Sequence, residues 1–317
     1  MEPFMRTDIP DGAVVDIGGT KVMVGIVRAG DIVEVATFPT GQPPDPAQII
    51  AAVAAVIRRL ARQAGVQVAA VAVAVPGAID RDAGIVHRAA NLPVREYPLA
   101  ADLGGLLGGV PVTIEHDANL GLVGETVAGA ARGLTDVVYL TVSTGIGMGA
   151  LIDGRLLAGA GGLAGEIGHI RVLPGGRACG CGSSGCLEAY ASGRAIGALG
   201  REAAAAGLSP ALAALGPDAA ITAREVVAAA ELGDDVCAEI VSQAVGLLAL
   251  AIDMVVRILD PAAVVLGGGV MTSEFVTKQL IAGGPGRPDQ RLVRVAELGE
   301  RSVMVGGTRF LRAQHGR

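Results

Sequence analysis

Aromatic residues are scarce in this chain of 317 residues. They make up 2% of the sequence, tryptophan is absent, and charged residues account for only 18%. A folded core must therefore be built from Ala, Val, Leu and Ile, which dominate the 51% of hydrophobic residues. This apolar content argues against an intrinsically disordered chain. The length accommodates one large domain or two of ordinary size.

Basic segments and membrane-length apolar runs are also lacking. The net charge is −6 and the Lys and Arg residues are scattered, so we expect no nucleic-acid partner. The longest apolar run, residues 244–259, contains Asp253 and Arg257 and is short for a membrane span. It predicts a buried core helix and no membrane partner. No apolar secretory signal opens the chain, and we expect a cytoplasmic protein.

The order of the predicted elements indicates two α/β lobes. Residues 13–38 are typical of three strands in an antiparallel meander, and a helix follows from Asp45 and Pro46. A second round of strands and then alternating strands and helices begins near residue 136. The repeated pattern predicts two lobes with mixed sheets, and a cleft between two lobes is a natural ligand site.

Cysteine is rare, yet three of the four cysteines lie within the eight residues "CGCGSSGC". A disulfide framework would need an oxidising compartment, and a redox pair is usually CxxC rather than CxC. Three buried thiols are a further alternative, but glycine-rich loops seldom form cores. Zinc prefers four nitrogen or sulfur ligands, so Cys179, Cys181, Cys186 and the nearby His169 predict a closed, structural zinc site.

Two acidic residues flank the cysteine loop. Glu166 precedes His169 by three positions, and Glu188 follows Cys186 by two. Both could be ordinary exposed acids. Alternatively, the metal would fix both carboxylates in a rigid polar site whose oxygens accept hydrogen bonds from the hydroxyls of a polyol.

Three glycine-rich turns recur along the chain, "DIGGTK" at 16–21, "STGIGMG" at 143–149 and "LGGG" at 266–269. The first is neither GxGxxG nor GxxxxGKS, and no helix follows it, so a dinucleotide fold and a P-loop are both disfavoured. Turns of this kind present backbone N–H groups to phosphate. Together the three predict a nucleoside triphosphate site.

The segment "IEHDANLGLVGE" places Asp117 between a predicted strand and a predicted helix. Asp is a good helix N-cap, and it is equally suited to act as a general base at a strand end. The residues alone leave both alternatives open.

Taken together, these motifs resemble the ROK family of sugar kinases and sugar-responsive repressors. The resemblance covers most of residues 14–270, and its most specific part is the "GEIGH" motif followed by the cysteine loop. The matching segments are "DIGGTK", "VPGAID", "NLP", "EHDAN", "STGIGMG", "GEIGH", "CGCGSSGCLEAYASG" and "DPAAVVLGGGV".

The resemblance implies an actin-like, ribonuclease-H-like fold of two lobes and ATP-dependent phosphorylation of a hexose hydroxyl, with Mg²⁺ and a structural Zn²⁺. Glucose is the expected sugar; N-acetylmannosamine or another hexose, or a non-catalytic sugar-binding regulator, are the alternatives. Asp117 would be the general base. The implied sugar contacts are Asn91, His116, Asp117, Glu166, His169 and Glu188. The implied nucleotide contacts are Asp16, Gly18, Gly19, Thr20, Lys21, Thr144, Gly145, Gly147, Gly268 and Gly269. The implied zinc ligands are His169, Cys179, Cys181 and Cys186.

The expected lobes are residues 8–116 with 303–317, and residues 117–302 with the zinc loop. A homodimer or homotetramer is also implied. The first predicted strand begins too close to Met1 for the helix-turn-helix of the repressors, which favours a kinase. The chain departs from the family at His116, where Asn is usual, and after "NLP", where Val94, Arg95 and Tyr97 replace an early bulky aromatic residue.

Overall fold

The computed structural model describes residues 8–41, 45–89, 92–160, 162–216, 219–282, 289 and 292–311. It contains two compact units. The first comprises the described residues of 1–133, 153–164 and 300–317, and the second comprises those of 134–152 and 165–299.

The helices and strands follow one another in mixed order. They are β1 (Gly12–Ile17), β2 (Lys21–Arg28), β3 (Asp31–Pro39), α1 (Pro46–Ala64), β4 (Ala70–Ala74), β5 (Ala78–Asp80), β6 (Ile85–Ala89), β7 (Leu92–Tyr97), α2 (Leu99–Leu106), β8 (Val112–Glu115), α3 (Asp117–Ala128), β9 (Val137–Val142), β10 (Ile146–Ile152), β11 (Arg155–Leu156), α4 (Glu188–Ala191), α5 (Gly193–Ala205), α6 (Pro210–Ala213), α7 (Ala223–Glu231), α8 (Asp235–Leu259), β12 (Ala263–Gly267), α9 (Glu274–Ile281), β13 (Val293–Val295) and α10 (Arg301–Thr308).

The main sheet of the first unit has the order β3-β2-β1-β4-β8. The meander β1 to β3 is antiparallel as predicted, whereas β4 and β8 run parallel to β1. Successive residues of β1 point to opposite faces: Val15 belongs to the core that includes α1, and Val14 belongs to the core that includes α3 and α10. Because both faces are covered, residues 13–15 of the strand form a continuous apolar run.

Helix α1 begins where the sequence predicts. The Asp45 carboxylate accepts the backbone N–H of Ala47 at 2.9 Å and that of Gln48 at 3.3 Å, and Pro46 occupies the first helical turn. Gly65 ends the helix in the left-handed conformation, with φ of 63°.

A second, three-stranded sheet of β5, β6 and β7 was not predicted. Its strands are short, and β6 exposes His87 and Arg88 in succession, so the alternation of apolar and polar residues is weak. Gly77 enters this sheet with a φ of 96°, and a Cβ there would collide with the backbone of Arg88.

The predicted lobe boundary at residue 117 differs from the division that the structure shows. Helix α3 groups with the first unit because it packs closely on α10. A Cβ on Gly306 would collide with the carbonyl oxygen of Leu120, and one on Gly124 with that of Ser302. These two glycines let the helix backbones touch, a long-range contact that local sequence patterns do not reveal.

The second unit contains a sheet in which β10, β9, β12 and β13 are neighbours in that order. Strands β9 and β10 form an antiparallel pair, and β12 runs parallel to β9 and β13. Among the described residues, α8 is the one helix long and apolar enough for a membrane span by length and composition. Val245, Leu248 and Ile252 of this helix lie in the core of the second unit, as the predicted core helix requires.

Candidate active site and cysteine cluster

One edge of the first unit's sheet collects the predicted catalytic segments. Strands β1, β4 and β8 are parallel, and register places Asp16 beside Ala74 and Ala74 beside Glu115. The glycine turn at 18–20 follows β1, and His116 and Asp117 follow β8. Carboxyl ends of parallel strands meet at one edge, so two motifs that are a hundred residues apart in sequence lie close together.

The turn after β1 is held by its own backbone. The N–H of Gly18 donates to the carbonyl oxygen of Lys21 at 2.9 Å, and the Thr40 hydroxyl donates to the carbonyl oxygen of Gly18 at 2.8 Å. The Lys21 ammonium lies 2.7 Å from a carboxylate oxygen of Glu300, and both side chains are largely exposed. A solvent-exposed pair of this kind is weak, so the ammonium can exchange Glu300 for another anion.

Asp16 is an unusual carboxyl group. Its burial, followed by the charge of Asp117, raises its pKa from 3.8 to about 7, while the charge of Lys21 acts in the opposite direction. Two carboxylates near each other in a partly desolvated site favour the binding of a cation. Their oxygens are ligands of the kind that Mg²⁺ prefers.

Asp117 is the first residue of α3, and His116 rather than Asp117 occupies the N-cap position. One carboxylate oxygen of Asp117 accepts the N–H of Ala118 at 2.7 Å. Burial raises the pKa of Asp117, although this N–H and the neighbouring His116 partly oppose the shift. The side chain is therefore not the helix cap, and its carboxylate is more basic than that of an ordinary aspartate.

His116 is 7% exposed, and its Nε2 atom is buried with no hydrogen-bond partner among the described residues. Its backbone N–H donates to the Glu115 carboxylate at 2.8 Å. The predicted sugar contact Asn91 lies outside the described residues.

The second unit gathers its glycine turns in the same manner. Strands β9 and β12 are parallel, so the turn 143–145 and the turn at Gly267–Gly269 follow neighbouring strand ends. Gly268 has a φ of 89°, and a Cβ there would collide with the main chain of Val142. Thr144 and Gly145 lie in the first of these turns, whereas Gly147 lies within β10, paired with Thr141.

Glu188 is buried, with a side-chain exposure of 6%, so it is not an ordinary exposed acid. One carboxylate oxygen accepts the backbone N–H of Ile146 at 3.0 Å, and the other accepts an N–H of Arg194 at 3.0 Å. The N–H of Gly193 also donates to the carbonyl oxygen of Ser143 at 2.7 Å. The chain after the cysteine loop is thus fixed to the turn between β9 and β10.

The cysteine loop brings four potential metal ligands together. The donor atoms of His169, Cys179, Cys181 and Cys186 all lie within 4.8 Å of one another. The Sγ atoms of Cys181 and Cys186 are 3.7 Å apart, and Cys179 Sγ is 3.6 Å from His169 Nδ1. Tetrahedral zinc with Zn–S bonds of about 2.3 Å requires sulfur atoms about 3.8 Å apart, so the cluster fits the ion.

The chemistry of these thiols also fits a cation. Burial, reinforced by the neighbouring thiols, raises the pKa of Cys186 to about 12, and burial also raises the pKa of Cys179. These two thiols resist ionisation unless a positive charge compensates them. The other ring nitrogen of His169, Nε2, lies 3.6 Å from Glu166, which places a carboxylate behind a potential metal-bound imidazole.

The ROK family model matches residues 13–313 of the chain. The chain belongs to the ROK family. The glucokinase of Streptomyces coelicolor is 33% identical over 312 residues, covering 94% of this chain and 96% of that protein. The N-acetylmannosamine kinase of Escherichia coli O157:H7 is 35% identical over 265 residues, covering 82% of this chain and 83% of that protein.

A solved structure of a ROK family glucokinase from Streptomyces griseus, in complex with glucose and AMPPNP, has a TM-score of 0.82 at 33% identity. The likeness covers 95% of this chain and 99% of that one. The fold of this ROK protein is therefore the actin-like fold of the sugar kinases, as predicted.

Sequence motifs did not identify three residues at the carboxyl edge of the first unit's sheet in this ROK protein. Glu115 and Arg81 form a part-buried ion pair, and Glu300 contacts Lys21 across 279 positions of sequence. Arg81 and Glu300 lie outside the recognised motifs. Glu115 lies within the motif "IEHDAN", but the sequence predicted functional roles only for its neighbours His116 and Asp117.

Proposed function

We propose that this protein transfers the γ-phosphoryl group of ATP to a hydroxyl group of glucose. The observation that carries the proposal is the carboxylate of Asp117 at the carboxyl end of β8. Its pKa is raised because the side chain is buried. Glucokinases that align along nearly the whole chain support the choice of sugar.

Asp117 is the general base of the proposed reaction. A sugar hydroxyl has a high pKa, so it needs a nearby base as its oxygen attacks the γ-phosphorus in line with the departing ADP. Asp117 accepts the hydroxyl proton while the oxygen–phosphorus bond forms and the bond to the β-phosphate oxygen breaks. Its raised pKa makes it a better proton acceptor than an exposed aspartate.

The glycine turns are proposed to bind the nucleotide. Gly18, Gly19 and Thr20 would offer backbone N–H groups to phosphate oxygens, and Lys21 would exchange Glu300 for a phosphate. In the second unit, Thr144, Gly145 and Gly147 would contact the phosphates. Gly268 and Gly269 would lie near the nucleoside. When bound, Mg²⁺ compensates the negative charge of the β- and γ-phosphates, and Asp16 is the residue proposed to hold it.

The sugar contacts of the proposal are polar side chains that both units supply. The carboxylates of Glu166 and Glu188 would accept hydrogen bonds from sugar hydroxyls. His169 and the buried His116 would supply ring nitrogens. Asn91 belongs to the same proposed set, on the strength of the family resemblance.

Zinc is proposed to bind His169, Cys179, Cys181 and Cys186. A four-ligand site has no open position for substrate, so its role would be structural. The metal would fix the loop that carries Glu188 and would orient His169 toward Glu166. None of the four cysteines, all of them described, forms a disulfide, which suits the reducing cytoplasm that we propose as the protein's location.

A homo-oligomer, dimeric or tetrameric, completes the proposal. Leu250, Met254 and Ile258 recur every four residues on one face of α8, and each is at least 38% exposed. Such an apolar stripe is typical of a surface that another subunit covers. Light scattering coupled to size-exclusion chromatography measures the assembly directly.

A coupled assay of ADP release with glucose, mannose, N-acetylglucosamine and N-acetylmannosamine tests the function. We expect glucose to give the highest kcat/KM. Preference for N-acetylmannosamine would support the alternative function, that of an N-acetylmannosamine kinase. The similarity to the Escherichia coli enzyme of that name is the reason for including this sugar. Sugar binding without ADP release from any sugar would indicate a regulator.

Substitution of the base checks that the measured activity belongs to this site. Asp117→Asn keeps the size of the side chain and removes its basicity, so kcat should fall by roughly two to four orders of magnitude. Asp31→Asn, at an exposed position of β3, is the matched control and should retain parental turnover. Near-normal turnover by Asp117→Asn would exclude this residue as the base.

A further inference from the structure

We propose that Arg81 is a positioning residue of the kinase, which acts through Glu115 to fix the orientation of Asp117. The inference deepens the proposed function and rests on it, since Asp117 is the base of that reaction. Arg81 itself need not touch the reacting atoms.

The ion pair between Arg81 and Glu115 is bidentate on the carboxylate side. The Nε atom of Arg81 lies 2.9 Å from one oxygen of Glu115 and 2.8 Å from the other. The side chains are only 22% and 6% exposed, so water screens the pair little. A carboxylate held in this way has a fixed rotamer, which an exposed pair would not provide.

The Glu115 carboxylate binds residues on both sides of Asp117. One of its oxygens accepts the backbone N–H of His116 at 2.8 Å and the side-chain N–H of Asn119 at 3.0 Å. The His116 side chain makes no capping hydrogen bond. The carboxylate of Glu115 therefore anchors the start of α3, and the backbone of Asp117 lies between two positions that it holds.

Arg81 comes from a turn that is itself rigid. The Asp80 carboxylate accepts the backbone N–H groups of Asp82 and Ala83 at 3.0 and 2.9 Å. Gly84 has a φ of 69°, and its carbonyl oxygen accepts the N–H of Ala100 at the start of α2. The guanidinium is thus presented from a backbone that is fixed at both ends.

Two buried side-chain nitrogen atoms, one on Arg81 and one on the residue after Glu115, have no hydrogen-bond partner among the described residues. They are Nη2 of Arg81 and Nε2 of His116. A group that served folding alone would be expected to satisfy its buried polar atoms, because an unpaired buried donor is costly. The incompletely paired guanidinium of Arg81 therefore indicates that its contact with Glu115 serves more than folding.

Arg81→Met removes the guanidinium and keeps the length of the side chain, while Arg81→Lys keeps the charge without the planar fork. Arg59→Met, at an exposed position of α1 in the same unit, is the matched control. We expect Arg81→Met to lower kcat roughly 10- to 100-fold, because small misplacements of a reacting group cost that much, and to leave both KM values within about threefold. Arg81→Lys should give an intermediate kcat.

Hydrogen exchange followed by mass spectrometry supplies a readout that does not depend on activity. Exchange in peptides covering residues 115–120 should become faster in Arg81→Met and remain parental in Arg59→Met. If the parent protein phosphorylates no sugar, the proposed function fails, and exchange still decides whether Arg81 orders this turn.

Parental kcat with parental exchange in Arg81→Met would overturn the proposal, and so would a rise in KM at unchanged kcat. If Arg81→Met is too unstable for kinetics, Arg81→Lys decides. A lowered kcat at unchanged KM supports the positioning role, whereas parental kcat and exchange in Arg81→Lys reject it.

Discussion

The carboxylate of Glu188 accepts the backbone N–H of Ile146 at 3.0 Å, so the first residue of α4 is bound to the first residue of β10. The contact spans 42 positions of sequence. It joins the chain that leaves the cysteine loop to the turn that we propose for phosphate binding. One buried side chain therefore links two parts of the proposed site within the second unit.

Glu188→Gln should raise KM for both the hexose and ATP. The amide keeps one acceptor oxygen but loses the charge that holds Arg194 and the second oxygen that Ile146 or a sugar hydroxyl requires. Steady-state kinetics with each substrate varied in turn measures the two constants. Glu274→Gln, which removes an exposed ion pair on α9, is the control and should leave both unchanged. A rise confined to the hexose would show that the Ile146 contact does not matter to the nucleotide.

Cys181→Ser should lose zinc and much of the protein's stability. The binding free energy of a structural zinc ion contributes directly to folding, so a missing ligand weakens both. Elemental analysis of purified protein should give one zinc per chain in the parent and far less in the variant. Cys237→Ser changes the cysteine outside the cluster and should keep one zinc. A Cys181→Ser protein with full zinc content would disprove the ligand assignment.

Asp16 should make the protein less stable as the pH rises from about 4 to about 7. The pKa of an ordinary, solvent-exposed aspartate is 3.8, as expected for Asp16 in the unfolded chain, and that of Asp16 in the folded protein is about 7. Across this window the folded protein keeps a proton that the unfolded chain has released, so the free energy of unfolding falls with increasing pH.

The variant Asp16→Asn isolates this effect. It should be more stable than the parent at pH 8 without Mg²⁺, and the difference should shrink toward pH 5, while kinase activity is lost. Denaturant unfolding at several pH values measures the trend. A variant that is less stable than the parent at pH 8 would contradict the burial of an uncompensated carboxylate at this position.

Gly306→Ala should destabilise the first unit by about 1–3 kcal/mol. The added methyl group would collide with the carbonyl oxygen of Leu120, where α10 packs on α3. Gly105→Ala in α2 is the matched control, because a Cβ there meets no atom within 4 Å. It should stabilise the protein by about 0.5–1 kcal/mol through helix propensity. Denaturant unfolding compares the two, and equal effects would rule out the close helix contact.

The sequence alone determined the local elements and the chemical inventory. The apolar alternation of β1 to β3 and the Asp45–Pro46 cap of α1 act over a few residues, so their signals are complete in the sequence. The cysteine spacing likewise placed three thiols in one loop and pointed to His169. The motif order was specific enough to indicate the family, whereas the strands β5 to β7 are too short for their sequences to predict a separate sheet.

Tertiary structure decided what these groups do to one another. Asp16 and Asp117 influence each other only because β1, β4 and β8 are parallel neighbours in one sheet. Helix α3 belongs to the first unit because two glycines allow it to touch α10. Tertiary packing likewise determines the contacts that Arg81, Glu300 and Glu188 make. Their contacts join residues 34, 279 and 42 positions apart, and no local pattern encodes such contacts because packing selects them after the elements have formed.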